Sequence, residues 1–231
     1  MTPNEVEAIA GGYYSDPFRI LGPHQVDAGW EVRAYLPQAA DAAALIGNTV
    51  HPMEKIHPQG FYVAKLEQNP GAYRLRLTLW NGAQAEIEDP YRFPPLLTSF
   101  DLHLHGEGTF YESFKTMGAH LATCEGIPGV RFAVWAPNAE VVSVVGDFND
   151  WDPHRHPMRL RTGGIWELFM PGAGEGTCYK YSVRSRFLGH YQQKADPYGF
   201  QTEAPPKSAS VVCDLSRYHW NDEQWMQERA R

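Results

Sequence analysis

The 231 residues suffice for one large domain or two of ordinary size, and 43% hydrophobic against 20% charged residues is a globular composition rather than a disordered one. A net charge of −7 without any Lys/Arg-rich block argues against nucleic acid or an anionic membrane as a partner. Three scattered cysteines (Cys124, Cys178 and Cys213) with no Cys-x-x-Cys pair give neither a disulfide framework nor a zinc site.

The chain opens on Thr2-Pro3-Asn4-Glu5, a capping box with Pro at the first helical position, and Gly11-Gly12 ends the predicted helix. This start lacks a basic region followed by an apolar core, and no apolar run approaches the ~20 residues that span a bilayer. A reducing, cytoplasmic location is expected. From Trp30 the period is two: Trp30, Val32, Ala34 and Leu36 fall on one face, Glu31, Arg33 and Tyr35 on the other. Tyr73, Leu75, Leu77 and Leu79 alternate in the same way. So do Val130, Phe132, Val134 and Ala136. Val141–Val145 is more continuously apolar, which predicts a central strand buried on both faces. Turn clusters such as Asn69-Pro70-Gly71, Asn81-Gly82 and Thr162-Gly163-Gly164 punctuate the strands. Other helix signals are few: a short helix over Tyr111–Met117, and a polar helix or tail over Asp222–Arg231 that ends uncapped, as expected of a chain cut before its next domain.

Landmarks recur in the same order. Leu21-Gly22-Pro23-His24 returns as Met117-Gly118-Ala119-His120, and the strand ending at Pro37 returns as the strand ending at Pro137. A run of small and β-branched residues reaches Gly47 in one copy and Gly146 in the other. Each copy closes on an Asp-Pro-Tyr-x-Phe box, at Asp89–Phe93 and Asp196–Phe200. The pattern predicts an all-β protein of two tandem immunoglobulin-like β-sandwich modules with few short helices. Expected boundaries are 1–13 for a helical lead-in, 14–93 for the first sandwich and 94–113 for a linker. The second sandwich covers 114–214, and 215–231 forms a tail.

Arg131-Phe132-Ala133-Val134-Trp135-Ala136-Pro137-Asn138-Ala139 resembles the opening strand of the carbohydrate-binding module that precedes the barrel in α-amylase-type branching and debranching enzymes. Val144-Val145-Gly146-Asp147-Phe148-Asn149-Asp150-Trp151-Asp152 looks like that module's second strand and turn. His156-Pro157-Met158, Gly164–Phe169 and Tyr179-Lys180-Tyr181 continue the likeness. Upstream, Asp16-Pro17-Phe18, Leu21-Gly22-Pro23-His24 and Asp101-Leu102 with Gly106-Glu107-Gly108 resemble the extra first module of longer bacterial glycogen branching enzymes. The resemblance implies a family that cuts an α-1,4 glucan and rejoins it through an α-1,6 bond, using two carboxylates on a (β/α)₈ barrel. No such barrel fits in this chain and no acidic residue sits in the family's catalytic motifs. The chain alone is therefore expected to be inert, with no catalytic residue, no cofactor and no metal. Its expected partners are an α-1,4-glucan, bound weakly, and a catalytic barrel in cis.

The resemblance makes Trp151 the first ligand candidate, at the position where related modules stack a tryptophan on a glucose ring; the apolar C–H face of a pyranose suits a flat aromatic. The competing reading packs Trp151 under its own loop or against the absent barrel. Lys180 matches a lysine that hydrogen-bonds glucose hydroxyls, although a strand lysine is commonly just solvated. The relatives' second stacking Trp is replaced by Gln192-Gln193-Lys194, and their Thr/Asn pair by Ser208-Ala209-Ser210, so half the sugar platform is missing. Trp135, opposite Phe132 and Val134, is expected to face a neighbouring domain, while Trp166 and Trp30 read as core. His103-Leu104-His105-Gly106-Glu107 reads as a solvated turn rather than a metal site, and the Asp-Pro-Tyr boxes as turn and strand-end fixtures. Two other functions fit the residues: a stand-alone glycogen- or starch-binding module, and an immunoglobulin-like interaction module with no sugar site.

Overall fold

The computed structural model describes residues 1–187, 189–217 and 221–229. Helix α1 (Pro3–Ala10) starts where the sequence places it: Thr2 Oγ1 accepts from the backbone N–H of Glu5, and the Glu5 carboxylate accepts from the backbone of Thr2. The first sandwich follows with β1 (Gly22–Val26), β2 (Gly29–Tyr35), β3 (Ala39–Ile46), β4 (Thr49–Pro52), β5 (Glu54–His57), β6 (Phe61–Leu66), β7 (Arg74–Leu79) and β8 (Gln84–Glu88). Helix α2 (Ser99–Glu107) then leads to the second sandwich. Its strands are β9 (Gly118–Cys124), β10 (Ile127–Trp135), β11 (Ala139–Gly146), β12 (Arg159–Leu160), β13 (Ile165–Pro171), β14 (Cys178–Ser185), β15 (Tyr191–Lys194), β16 (Gln201–Thr202) and β17 (Ser210–Val211). A short helix α3 (Glu223–Glu228) follows. Ala230 and Arg231, the end of the expected tail helix, lie outside the described residues. No helix among the described residues is long and apolar enough to cross a membrane.

The fold is all-β, two tandem immunoglobulin-like sandwiches, and the sheet orders explain the repeated landmarks. One sheet of the first sandwich runs β1-β2-β6-β5, and its counterpart in the second runs β9-β10-β13-β12. The facing sheets are β4-β3-β7-β8 and β11-β14-β17-β16, with β15 also paired to β14. Residues 156–158 stand in for β4 beside β11, since Val144 N–H donates to His156 O and Met158 N–H to Val142 O at 2.7 Å. The same bond in the first copy runs from Met53 N–H to Ala42 O at 3.0 Å. Bulges interrupt β3 after Ala39 and β11 after Ala139.

The alternation places the core as expected. Val32, Ala34, Leu36, Tyr62, Leu75 and Leu77 fill the first sandwich, with Trp30 half-buried against them. Phe132, Val134, Val142, Val144, Trp166, Tyr179 and Tyr181 fill the second. The opposite face of β2 is not solvated, however. Phe61, Val63 and Tyr35 pack under Val6 and Ile9 of α1 and under Ile20 and Leu21, and Arg33 is buried against Glu31 at 2.8 Å.

Two local expectations are corrected. His103–Glu107 form the second half of α2, which Thr98 and Asp101 cap reciprocally and Gly108 ends at φ 70°. On a helix His103 and His105 point to different sides, so the shared face that a strand would give them does not exist. Tyr111–Met117 contains only one 3₁₀ turn, Ser113–Lys115, because Thr116 and Met117 turn straight into β9.

Candidate functional site

The loop that follows β11 is built around one buried side chain. Asn149 accepts from the Gly146 N–H at 2.9 Å and donates its amide to Val144 O (2.9 Å) and to His156 Nδ1 (2.8 Å). Its neighbours Asp150 and Trp151 both adopt left-handed backbone conformations, at φ 55° and 58°. For residues with a Cβ such backbone costs of order 1–2 kcal/mol each. The loop offsets that cost with the Asn149 bonds, the Trp151 N–H to Gly146 O bond at 3.0 Å, and an Arg155–Asp150 pair at 2.8 Å.

This geometry leaves Trp151 partly exposed and fixes its ring, because the indole N–H donates to Asp147 Oδ1 at 2.9 Å. Neither simple alternative describes the side chain: it is not free in solvent and not packed away under the loop. Lys180 lies close by along the backbone, since it pairs across the ladder with Val145, one residue before the Gly146 that anchors Trp151. Its ammonium donates to Ser208 Oγ at 2.9 Å. The structure thus brings Trp151 and Lys180 to the same end of one sheet, with Asp147 and Ser208 as partners that sequence reasoning had not placed there.

Within Gln192-Gln193-Lys194, the segment expected to replace a second stacking residue, Gln193 pairs with Ser182 on β14. Ser182 alternates with Lys180, so Gln193 shares that outer face. Ser210 is buried and Asp196 N–H donates to its hydroxyl at 2.9 Å, which makes it a fastener of the Asp-Pro-Tyr turn.

Trp135 sits apart from this group. It is 55% exposed at the end of β10, its indole N–H donates to Gly163 O at 3.0 Å, and the edge of His105 in α2 approaches its ring at 5.8 Å between centroids. Trp166 is fully buried.

The Asp-Pro-Tyr boxes do more than end strands. In the first, Asp89 is buried and accepts from Tyr73 Oη at 2.5 Å and from Tyr91 N–H at 3.0 Å. In the second, Asp196 accepts from Tyr179 Oη at 2.5 Å and from Tyr198 N–H at 2.8 Å. Burial pushes the Asp89 carboxyl up to about 6 against those hydrogen bonds, and raises Asp196 in the same direction. These buried acids latch strands together.

Comparison with known proteins matches residues 2–91 to the family described as alpha-1,4-glucan branching enzyme GlgB, N-terminal domain. Residues 116–199 match carbohydrate-binding module 48, the isoamylase N-terminal domain. The chain belongs to the N-terminal region of the GlgB branching-enzyme family. It is 48% identical over 97% of its length to the 1,4-alpha-glucan branching enzyme of Rubrobacter xylanophilus and covers 31% of that protein. The enzymes of Paramagnetospirillum magneticum and Gloeobacter violaceus are each 48% identical to it, over 96% and 98% of the chain and 30% and 31% of their own lengths. This GlgB-type region thus spans just under a third of the relatives it matches. Trp151 and Lys180 both fall inside the carbohydrate-binding module match.

Proposed function

We propose that this chain is the non-catalytic, glucan-positioning part of a 1,4-alpha-glucan branching enzyme in glycogen biosynthesis. In this reading the bond-breaking chemistry belongs to a barrel in the further two thirds of length that the relatives possess, and the protein works in the cytoplasm. The observation that carries the proposal is the strained 146–156 loop. It spends backbone energy to hold one partly exposed aromatic ring against Asp147, at the sheet end where Lys180 also lies, inside the segment matched by a carbohydrate-binding module. Trp151 supplies the stacking face for a glucose ring, and Lys180 and Asp147 supply polar groups at its rim. Trp135 and the adjoining α2 surface are the proposed contact for the barrel.

A single stack with a few exposed hydrogen bonds contributes ~3–5 kcal/mol, which corresponds to a millimolar dissociation constant. Titrating maltoheptaose into wild type and Trp151→Ala, with thermal melts of both, tests the site. The variant is expected to keep its melting temperature within a degree or two and to lose affinity by about tenfold or more. Undiminished binding by a stably folded variant would move the glucan surface away from this loop. Absence of binding by the wild type would favour an interaction module without a sugar site, the function that the missing second tryptophan supports.

A further inference from the structure

The two sandwiches differ along one side. In the second, β14 passes its ladder on to β15 and β17; in the first, the sheet ends at β8. The open side of the first sandwich faces the second module, and the space between them is a slot of about 990 Å³. That volume is at the upper end for small-ligand sites, room for an oligomer rather than a single sugar.

Trp80 stands on the lip of the slot, 66% exposed. Its indole N–H is bound to Pro37 O at 3.0 Å, and the Lys55 ammonium lies 4.8 Å from the ring centre. An exposed tryptophan held in one orientation by its own N–H presents a flat apolar face at little further entropic cost. The opposite wall includes Asp147 and Asp150, from the same loop that carries Trp151.

The chemistry of the lining selects among ligands. Glu86, Glu88, Asp147 and Asp150 all border the slot; Glu86 is paired with Arg74 and Arg76, Glu88 with Arg92, and Asp150 with Arg155, which also lines it. Arg155 is thus engaged, so a phosphorylated or otherwise anionic ligand finds no uncommitted positive charge in the lining. An alkyl chain would cover these acceptors, and the unpartnered Gln38 Oε1, without giving them a donor. A neutral polyol with an apolar ring face satisfies both features, because its hydroxyls donate to the acceptors while its C–H face lies on Trp80.

We infer that the intermodule slot is a second α-glucan-binding site, with Trp80 as its stacking face and the back of the Trp151 loop as its far wall. The inference rests on the reading that this chain binds α-glucan at all. One short loop then serves two glucan surfaces, one on each side.

The test is a maltoheptaose titration of the whole chain followed by amide NMR, in wild type, Trp80→Ala, Trp80→Phe and Trp151→Ala. Two groups of shifted amides are expected, one around residues 79–83 and 172–177, the other around 151–152 and 180; amides 147–150 border both surfaces and do not tell them apart. Trp80→Ala should abolish the first group while changing the dissociation constant of the second less than twofold. Trp80→Phe, which keeps a flat face, should retain the first group within about fivefold. Trp151→Ala should leave the first group standing. If Trp80→Ala changes neither group, or Trp151→Ala erases both, the slot is not a site and the Trp151 reading stands. Shifts confined to the first group would uphold the slot and remove the Trp151 assignment. No shifts in wild type would overturn both.

Discussion

Burial gives two titrating side chains opposite effects on stability. The Asp89 carboxyl is pushed up to about 6 by burial, above the ~3.9 of an unfolded chain, so the folded protein holds that proton more tightly. The stability it contributes is complete below about pH 4 and is lost as pH rises through about 6. His156 is reversed. Burial, with the nearby Arg155 charge, lowers its ring to about 3, and its Nδ1 accepts from Asn149, which only the neutral ring permits. Its contribution is complete above about pH 6.5 and is lost as pH falls toward 3. Urea unfolding of wild type, Asp89→Asn and His156→Asn between pH 7 and 4.5 separates the two. Relative to Asp89→Asn, wild type should gain stability on acidification, by up to ~3 kcal/mol for two pH units. Relative to His156→Asn it should lose stability. A difference that does not change with pH would show that the group titrates alike in folded and unfolded chains. The sequence displayed both Asp-Pro-Tyr boxes but not these latches, because the tyrosine partners lie 16 and 17 residues upstream and only the strand pairing brings them to the carboxyls.

Strands were legible because a half-buried sheet imposes a period of two, and β2, β7 and β10 carry that period openly. Helix α2 was not. Phe100, Leu102 and Leu104 alternate like strand residues, and no residue of the helix is buried, so no apolar stripe marks it. Its existence depends on the ends, where Thr98 and Asp101 cap one another and Gly108 turns left-handed. Thr98→Ala should therefore cost ~1 kcal/mol locally. Amide exchange over residues 99–107 is expected to accelerate about fivefold, with the melting temperature of the sandwiches unchanged. Unaltered exchange would mean that contacts such as His105 on Trp135 hold the helix instead. A further repeat also passed unread in the sequence. His51-Pro52-Met53 and His156-Pro157-Met158 occupy the same place beside β3 and β11, but in the second copy the Asn149 loop lies between β11 and that segment, so the spacing differs.

At the scale of the whole molecule the two sandwiches are tied to one another by specific side-chain bonds rather than strung as beads on a string. Tyr91 donates to Pro157 O at 3.2 Å, and Arg92 meets Glu125 at 2.6 Å. Arg159 lies 3.7 Å from the ring centre of Phe18, and Tyr191 donates to Gly12 O. The stretch between the modules is pinned as well. Buried Glu167 accepts from the N–H groups of Leu96 (2.5 Å) and Leu97 (2.7 Å) and is paired with Arg161. None of this was readable from motifs, which mark each sandwich singly and carry no signal for which loops meet. Calorimetry should accordingly give one transition whose van't Hoff and calorimetric enthalpies agree; two resolved peaks would show that the interface does not couple the modules. The free side of β8 bears on a different property. Its backbone forms a rail onto which a foreign strand could add, the usual starting point of β-aggregation. Glu86 and Glu88 stand on that strand, bound to Arg74, Arg76 and Arg92, and charged side chains along an edge discourage an apolar strand from adding to it. The charges that ring the slot thus also act as gatekeepers, favouring colloidal stability.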